Sequence, residues 1–346
     1  MPVRFGIISA AGIAEKVVGV MKQSKHAEFV CVGARDLEKA KAFALKNNIP
    51  RAYGTYEEVL SDKDVQAVYI PVPTALRLEW VIKAANAKKH VLVEKPFASA
   101  DQVKQMQEAC ISNGVHFMDN TMHLHHLRTK YVEEKFLNSN GFELHRVNNA
   151  LSYYTMNDYP TNIRFNPKLE PLGALGDLGW YTTRNILWAF KYQLPVSVTA
   201  SGHFDDQTGT LMDVSAILNF PNNKTATFNV SFKDVTRQHT ELVSAGTLIR
   251  YEGFVLPFEN EPYVFPRESY NPRQTITVGD VNGNTQTVTI DACDQVIKLF
   301  EQYEKDVANE ESIKKAQKWA EESVRTSIVL DAVLKSIKTN TTVSLQ

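Results

Sequence analysis

The residues of this 346-residue chain that could do chemistry lie in a few short stretches. Glu94, Lys95 and Pro96 follow the apolar run HVLV in immediate succession. Such a run reads as a buried parallel strand that stops abruptly, because Pro96 has no N–H to donate and biases Lys95 towards an extended backbone. An ammonium at that end of a strand sits where ligands bind in open α/β sheets. The plain alternative is a solvated loop cation. A second stretch, 172–184, reads LGALGDLGWYTTR, with Asp177 and Tyr181 four apart. On a helix they share one face, and Asp177 would lie near the helix N-terminus, where a carboxylate is favoured. That spacing suits a phenol oriented from one turn away, and it equally suits a capping Asp beside a core-edge Tyr. His123, His125 and His126 crowd TMHLHH, yet no Cys, Asp or Glu follows at ligand spacing, so no metal site is expected.

The elements that must position these groups change character near residue 122. Before it, apolar runs at 3–8, 29–32, 65–70, 91–93 and 115–118 alternate with amphipathic stretches, the first carrying Ile13, Val17, Val20 and Met21 on one face. Helices are expected at 12–21, 39–45, 76–87 and 99–112. Strands alternating with helices of this length imply a doubly wound parallel sheet, since parallel neighbours need a crossover each time. Beyond it, turn-punctuated runs at 196–200, 211–220, 226–232, 242–250, 274–278 and 287–290 read as an antiparallel sheet, with Pro221-Asn222-Asn223 and Asn282-Gly283-Asn284 as turns. Helices near 176–190, 294–309 and 313–335 should pack on one face and leave the other open. The fold class expected is thus α/β plus α+β, with a doubly wound parallel domain at 1–122 and an α+β domain with a largely antiparallel sheet at 123–346, the open face of that sheet left to solvent or to a partner subunit.

A strand, a turn of small residues and a helix start would suit a dinucleotide, because bare backbone lets a pyrophosphate approach the free N–H groups of the helix. Here Ser9, Ala11 and Ala14 occupy the three glycine positions of the usual fingerprint, with Gly12 displaced by one and Ile13 between. The turn is therefore read either as a modified phosphate site or as an ordinary strand-to-helix turn. After the second strand comes Gly33-Ala34-Arg35-Asp36. Ala34 stands where NAD enzymes place an acid, and Arg35 beside it favours NADP over NAD. Asp36 reads as a helix N-cap.

Composition closes off other classes. A formal net charge of −1 and 43% hydrophobic residues suggest neither a nucleic-acid nor a membrane partner. No apolar segment approaches the roughly 20 residues that span a bilayer. MPVRFGIIS lacks the pattern of a secretory signal, and Cys31, Cys110 and Cys293 are few and far apart. A cytosolic protein with reduced cysteines is expected.

The stretches GIISAAGIAEK, ARDLEKAKAFA, VYIPVPTALRLEW, HVLVEKP, FMDNTMHLHHLRT and NIRFNPKLEPLGALGDLGWYTTR together resemble the glucose-fructose oxidoreductase / inositol dehydrogenase (Gfo/Idh/MocA) family. The likeness is to its branch of dimeric dihydrodiol and NADP-dependent xylose dehydrogenases. The resemblance implies Lys95, Asp177 and Tyr181 as catalytic residues, Glu94 on the nicotinamide side, a cis Lys95–Pro96 bond, and Pro71, Pro73 and Thr74 in a cofactor-side loop. Arg77 replaces the His that relatives often carry, either tightening phosphate or substrate contacts or standing in solvent. His123 or His126 would edge the substrate cleft. Arg164 would approach the substrate or form a structural salt bridge. The implied reaction is hydride transfer between the nicotinamide of NADP and a secondary alcohol of a sugar, polyol or vicinal diol. Tyr181 would carry the proton, Lys95 lowering its pKa, with the reverse assignment open. The resemblance makes 1–122 a Rossmann dinucleotide-binding domain and 123–346 an α+β substrate-binding and dimerisation domain, with Lys95 pointing towards Asp177 and Tyr181 and a homodimer formed through the open sheet face. The alternatives are an NADP-binding sensor without turnover and a glycosidase that oxidises its substrate transiently.

Overall fold

The computed structural model describes residues 1–257 and 274–345. It divides into two compact units, Met1–Thr121 with Val296–Val324 and Met122–Gln295 with Arg325–Gln346. The sequence boundary at 122/123 therefore omitted a return: residues beyond 295 come back to the first unit. The cause is an apolar face. Phe300 and Tyr303 pack against Phe5 at 5.2 Å between ring centroids, and Phe300 meets Phe29 at 6.1 Å.

The first unit holds a six-stranded sheet of β1 (Val3–Ile8), β2 (Ala27–Gly33), β3 (Arg51–Tyr53), β4 (Ala67–Ile70), β5 (His90–Val93) and β6 (Phe117–Asp119). Every pairing is parallel and the order is β3-β2-β1-β4-β5-β6, so the topology reverses between β1 and β4. The crossovers carry α1 (Gly12–Met21), α2 (Leu37–Asn47), α3 (Tyr56–Ser61), α4 (Arg77–Asn86) and α5 (Ala100–Asn113). Asp36 caps α2 as its position predicts, accepting from Glu38 N at 2.9 Å and Lys39 N at 3.3 Å. The sequence reading had neither β3 nor α3. A reciprocal capping box between Thr55 and Glu58 starts α3. Ile13, placed above on the apolar face of α1, is 42% exposed, and the buried residues of the helix are instead Ala14, Val17, Val18, Val20 and Met21.

The second unit holds a nine-stranded sheet, ordered β14-β13-β12-β11-β7-β10-β9-β8-β15. Its strands are β7 (Leu144–Ser152), β8 (Ser197–Phe204), β9 (Leu211–Phe220), β10 (Lys224–Ser231), β11 (Arg237–Ser244), β12 (Thr247–Glu252), β13 (Gln274–Asp280), β14 (Thr285–Ile290) and β15 (Val343–Ser344). β7 and β10 pair parallel, and the other pairs are antiparallel. The helices are α6 (Leu127–Val132), α7 (Gly173–Asp177) and α8 (Gly179–Ala189). α9 (Gln295–Asp306), α10 (Glu310–Lys315) and α11 (Lys318–Thr339) complete the chain. The expected helices at 176–190 and 313–335 are each broken in two, the first at Leu178.

Period-2 burial fixes which sheet face is inside. On β9, Met212, Val214, Ala216, Leu218 and Phe220 are buried, while Ile217 is half exposed. α8 covers the inner face, where Asn149 donates to Thr182 O at 2.9 Å and Asn185 donates to Thr240 Oγ1 at 3.0 Å. Across the outer face one register row reads Thr199, Ile217, Thr227, Asn148, Glu241, Arg250 and Thr277. Thr227 Oγ1 donates to Asn148 Oδ1 at 2.9 Å, and Arg250 lies 3.4 Å from Glu241.

Candidate functional site

In the first unit the turn after β1 keeps a glycine-like backbone without the glycine. Ser9 has φ +119°, a conformation that L side chains seldom adopt, and its N–H bonds Gly33 O at 3.1 Å. α1 then opens from Ala11, whose side chain offers no capping hydrogen bond. An uncapped helix start of ten residues presents N–H groups to an anion. A Cβ on Gly12 would meet nothing within 4 Å, so the approach to these groups is open. Ala14 is fully buried and lets α1 pack close to the sheet, the part played by the third glycine of the fingerprint. These features fit a dinucleotide pyrophosphate. Ala34 is buried and donates its N–H to Tyr53 O at 3.1 Å, whereas Arg35 is exposed at the end of β2. The Asp36 carboxylate is engaged in its cap and so is no ribose ligand by default.

The ends of β4, β5 and β6 meet at the same edge of the sheet. Glu94 is buried and accepts from the Tyr69 hydroxyl and, at 2.6 Å, from Asn120 Nδ2. Asn120 Oδ1 is buried and has no partner among the described residues. Lys95 is 8% exposed and its bond to Pro96 is cis, as the resemblance implied. Pro71, Pro73 and Thr74 form the loop after β4, with Thr74 starting a short 3₁₀ turn. Arg77 is not in solvent. It is 6% exposed and binds Val72 O at 3.0 Å, Thr74 Oγ1 at 2.9 Å and the carbonyl of Pro96, tying the β4 loop to the residue after Lys95.

In the second unit Asp177 and Tyr181 do not share one continuous helix. Asp177 ends α7, Leu178 is the cap between it and α8, and the Asp177 side chain caps neither. Gly173 enters α7 at φ +51°, where a Cβ would lie 2.4 Å from Leu211 O. Only glycine lets this segment lie so close to β9. The Asp177 carboxylate is gripped by Arg164, Nε to Oδ2 at 2.6 Å, and the carboxylate in turn raises the Arg164 pKa. The salt-bridge alternative for Arg164 is therefore present. Tyr181, half-buried, places its hydroxyl 3.7 Å from Met122 Sδ and its ring edge-on to His123 at 5.6 Å. His123 is 1% exposed, and neither ring nitrogen has a partner among the described residues. Burial first, then the Arg184 charge, hold its pKa well below the ordinary value. His126 instead caps α6, its Nδ1 accepting from Arg128 N at 2.9 Å, and burial depresses its pKa to about 3. No group of His, Cys, Asp or Glu able to hold a metal occurs among the described residues. The three cysteines are buried and none forms a disulfide among the described residues.

Sequence reasoning missed Asn120, Met122 and the binding role of Arg77. Asn120 was recoverable, since it follows β6 as Glu94 follows β5.

Two family profiles match the chain: an oxidoreductase family with an NAD-binding Rossmann fold over residues 3–121, and a GFO/IDH/MocA C-terminal domain over residues 143–250. A D-xylose 1-dehydrogenase (NADP(+)) of Haloferax volcanii is 28% identical over 342 residues, covering 99% of each chain. The trans-1,2-dihydrobenzene-1,2-diol dehydrogenase of Mus musculus is 32% identical over 235 residues, 67% of this chain and 69% of its own. The crystal structure of a 3-ketoreductase from Actinomadura kijaniata, held with NADP and TDP-benzene, has the same fold. Its TM-score is 0.84 at 21% identity, covering 97% of this chain and 98% of that one.

Proposed function

The chain belongs to the GFO/IDH/MocA oxidoreductase family, with an NAD(P)-binding Rossmann domain, and from that premise we propose that it interconverts a secondary alcohol of a sugar, polyol or vicinal diol with its carbonyl, preferring NADP. The observation that carries the reading is the turn at Ser9. A non-glycine residue held at φ +119° before an uncapped helix start preserves the backbone of a pyrophosphate site after its glycines are gone. Ser9, Ala11, Gly12, Ile13 and Ala14 would hold the pyrophosphate, with Pro71, Pro73, Thr74 and Glu94 lining the nicotinamide side. Arg35 would meet the 2′-phosphate as a charge-assisted partner. When bound, the nicotinamide supplies the hydride acceptor or donor.

The remaining chemistry falls to the side chains. Removing a hydride from a carbinol carbon requires that its O–H proton leave as well. Tyr181 takes that proton, and its ring is fixed by Met122 and His123. Asp177, held by Arg164 at 2.6 Å, stands in the same segment. Lys95 supplies the cation that favours the developing alkoxide. Two relatives support the substrate class by their names, one for D-xylose and one for a trans-diol. The outer face of the nine-stranded sheet, with Ile217 and Leu248 exposed in a polar ladder, is proposed as a homodimer surface, to be checked by the mass in solution.

The test is NADPH formation with a panel of sugars and diols. Lys95→Met and Tyr181→Phe should each cut turnover by about a hundredfold or more while NADP still binds. In the same assay Arg35→Ala should weaken NADP by about tenfold and leave NAD unchanged. Wild-type turnover in either of the first two variants refutes the role given to that residue.

A further inference from the structure

Three Asn-Gly pairs occur in the chain, at 113–114, 140–141 and 282–283. Each carries a latent reaction, because a glycine has no side chain to keep its backbone nitrogen away from the preceding carboxamide carbon. Ring closure needs a carboxamide that can swing onto its own backbone and a glycine N–H that no carbonyl holds, since a bonded group must first be released. The fold withholds these freedoms unequally.

Asn113, the last residue of α5, has neither. Its Nδ2 donates to Ala109 O at 2.9 Å and to Asn86 Oδ1 at 3.1 Å, and its Oδ1 accepts from Lys88 Nζ at 2.8 Å. Gly114 N donates to Ile111 O at 3.1 Å. At Asn282, in the turn between β13 and β14, the backbone is the restraint. Gly283 N donates to Asp280 O at 3.2 Å, and the N–H groups of Asn282 and Asn284 both donate to Asp280 Oδ1 at 2.9 Å. Asn140 and Gly141 are exposed turn residues ahead of β7. Gly141 has φ +114°, and a Cβ there would meet nothing within 4 Å. Neither its N–H nor the Asn140 carboxamide has a hydrogen-bond partner among the described residues.

We infer that Asn140 is a deamidation site, at which this chain converts spontaneously to aspartate and isoaspartate. Gly141 N gives up its proton to solvent and bonds to Asn140 Cγ. The Cγ–Nδ2 bond breaks and Nδ2 leaves as ammonia. One water then opens the resulting succinimide, at Cγ to give aspartate or at the main-chain carbonyl to give isoaspartate. One water enters and one ammonia departs, so no oxidant or cofactor is needed. The new carboxylate stands three residues before Glu143, whose partners are Lys224 at 3.5 Å and His145 at 3.9 Å. The pairing of β7 begins only at Leu144, so the extra main-chain methylene of isoaspartate falls ahead of the sheet and the fold persists.

The test keeps the full-length protein warm for days at neutral and mildly alkaline pH, then digests it and follows the mass of each Asn-Gly peptide. Isoaspartate is counted by methyl transfer from S-adenosylmethionine with an isoaspartate carboxyl methyltransferase. The 140–141 peptide should convert first, and faster at the higher pH, because the glycine nitrogen must lose its proton. The 113–114 and 282–283 peptides should lag by about tenfold or more in the native protein. In denaturant the three rates should converge, which separates the effect of the fold from that of the dipeptide. Asn140→Gln, whose ring would be six-membered, should remove most of the methylation of the native chain. Conversion at 282–283 or 113–114 as fast as at 140–141, or a native ranking unchanged in denaturant, overturns the inference.

Discussion

At the end of β5 Glu94 receives the Tyr69 hydroxyl and the Asn120 amide, and Arg77 spans three acceptors on two loops. Beside Tyr181, by contrast, neither ring nitrogen of His123 has a hydrogen-bond partner among the described residues. Both groups are buried, and the difference lies in who completes them. The Rossmann unit ties the ends of β4, β5 and β6 together with its own hydrogen bonds. The second unit leaves a polar group incomplete at the place where its chemistry is proposed. Of these two buried polar clusters, each within its own unit, one is completed internally and the other is not.

Three variants would break or sharpen that contrast. Arg77→Ala should have the largest effect, a loss of about 3 kcal/mol in denaturant unfolding, because a buried guanidinium that bridges Val72, Thr74 and Pro96 is removed. A loss below about 1 kcal/mol would mean that the Rossmann edge is less self-supporting than its hydrogen bonds suggest. Next comes Arg164→Ala. With the pair partly exposed, stability should move by less than about 1 kcal/mol. Turnover should fall by about tenfold with KM little changed, since Asp177 loses the group that orients it. A raised KM at constant kcat would instead return Arg164 to direct substrate contact. The smallest effect at neutral pH belongs to His126→Asn, which preserves a capping side chain for α6. His126 has its pKa depressed from 6.5 to about 3. As pH falls through that interval the unfolded chain takes up a proton that the folded chain refuses, so stability declines below pH 6.5. The variant should remove up to about 1.4 kcal/mol per pH unit of that slope in acid unfolding curves, and an unchanged slope would mean that other buried groups set it.

The sequence made the first unit readable because period and capping there agree. Alternating strands and helices, the Asp36 cap and the break at Pro96 all followed from local chemistry. β3 has only three residues, too few for a period, although Thr55 and Glu58 signalled the helix after it. Local pattern misled at Asp177 and Tyr181, where a spacing of four implied one helix and the chain instead restarts at Leu178. Nor could it show that Ser9 adopts a glycine's backbone, since that conformation is imposed by the strands around it. The parallel pairing of β7 with β10 and the solitude of His123 depend on partners far away in sequence, which no window of residues contains.

The return of Val296–Val324 to the first unit has a consequence for how the protein is made. Phe5 and Phe29 emerge from the ribosome nearly the whole chain ahead of Phe300 and Tyr303, the rings that cover them. Synthesis at roughly 5–20 residues per second leaves that aromatic face open for tens of seconds. A fragment ending at Thr121 would carry the same uncovered face permanently and should be recovered as aggregate. The unit that contains Phe5 and Phe29 should therefore complete its packing only after residues 296–324 have been made.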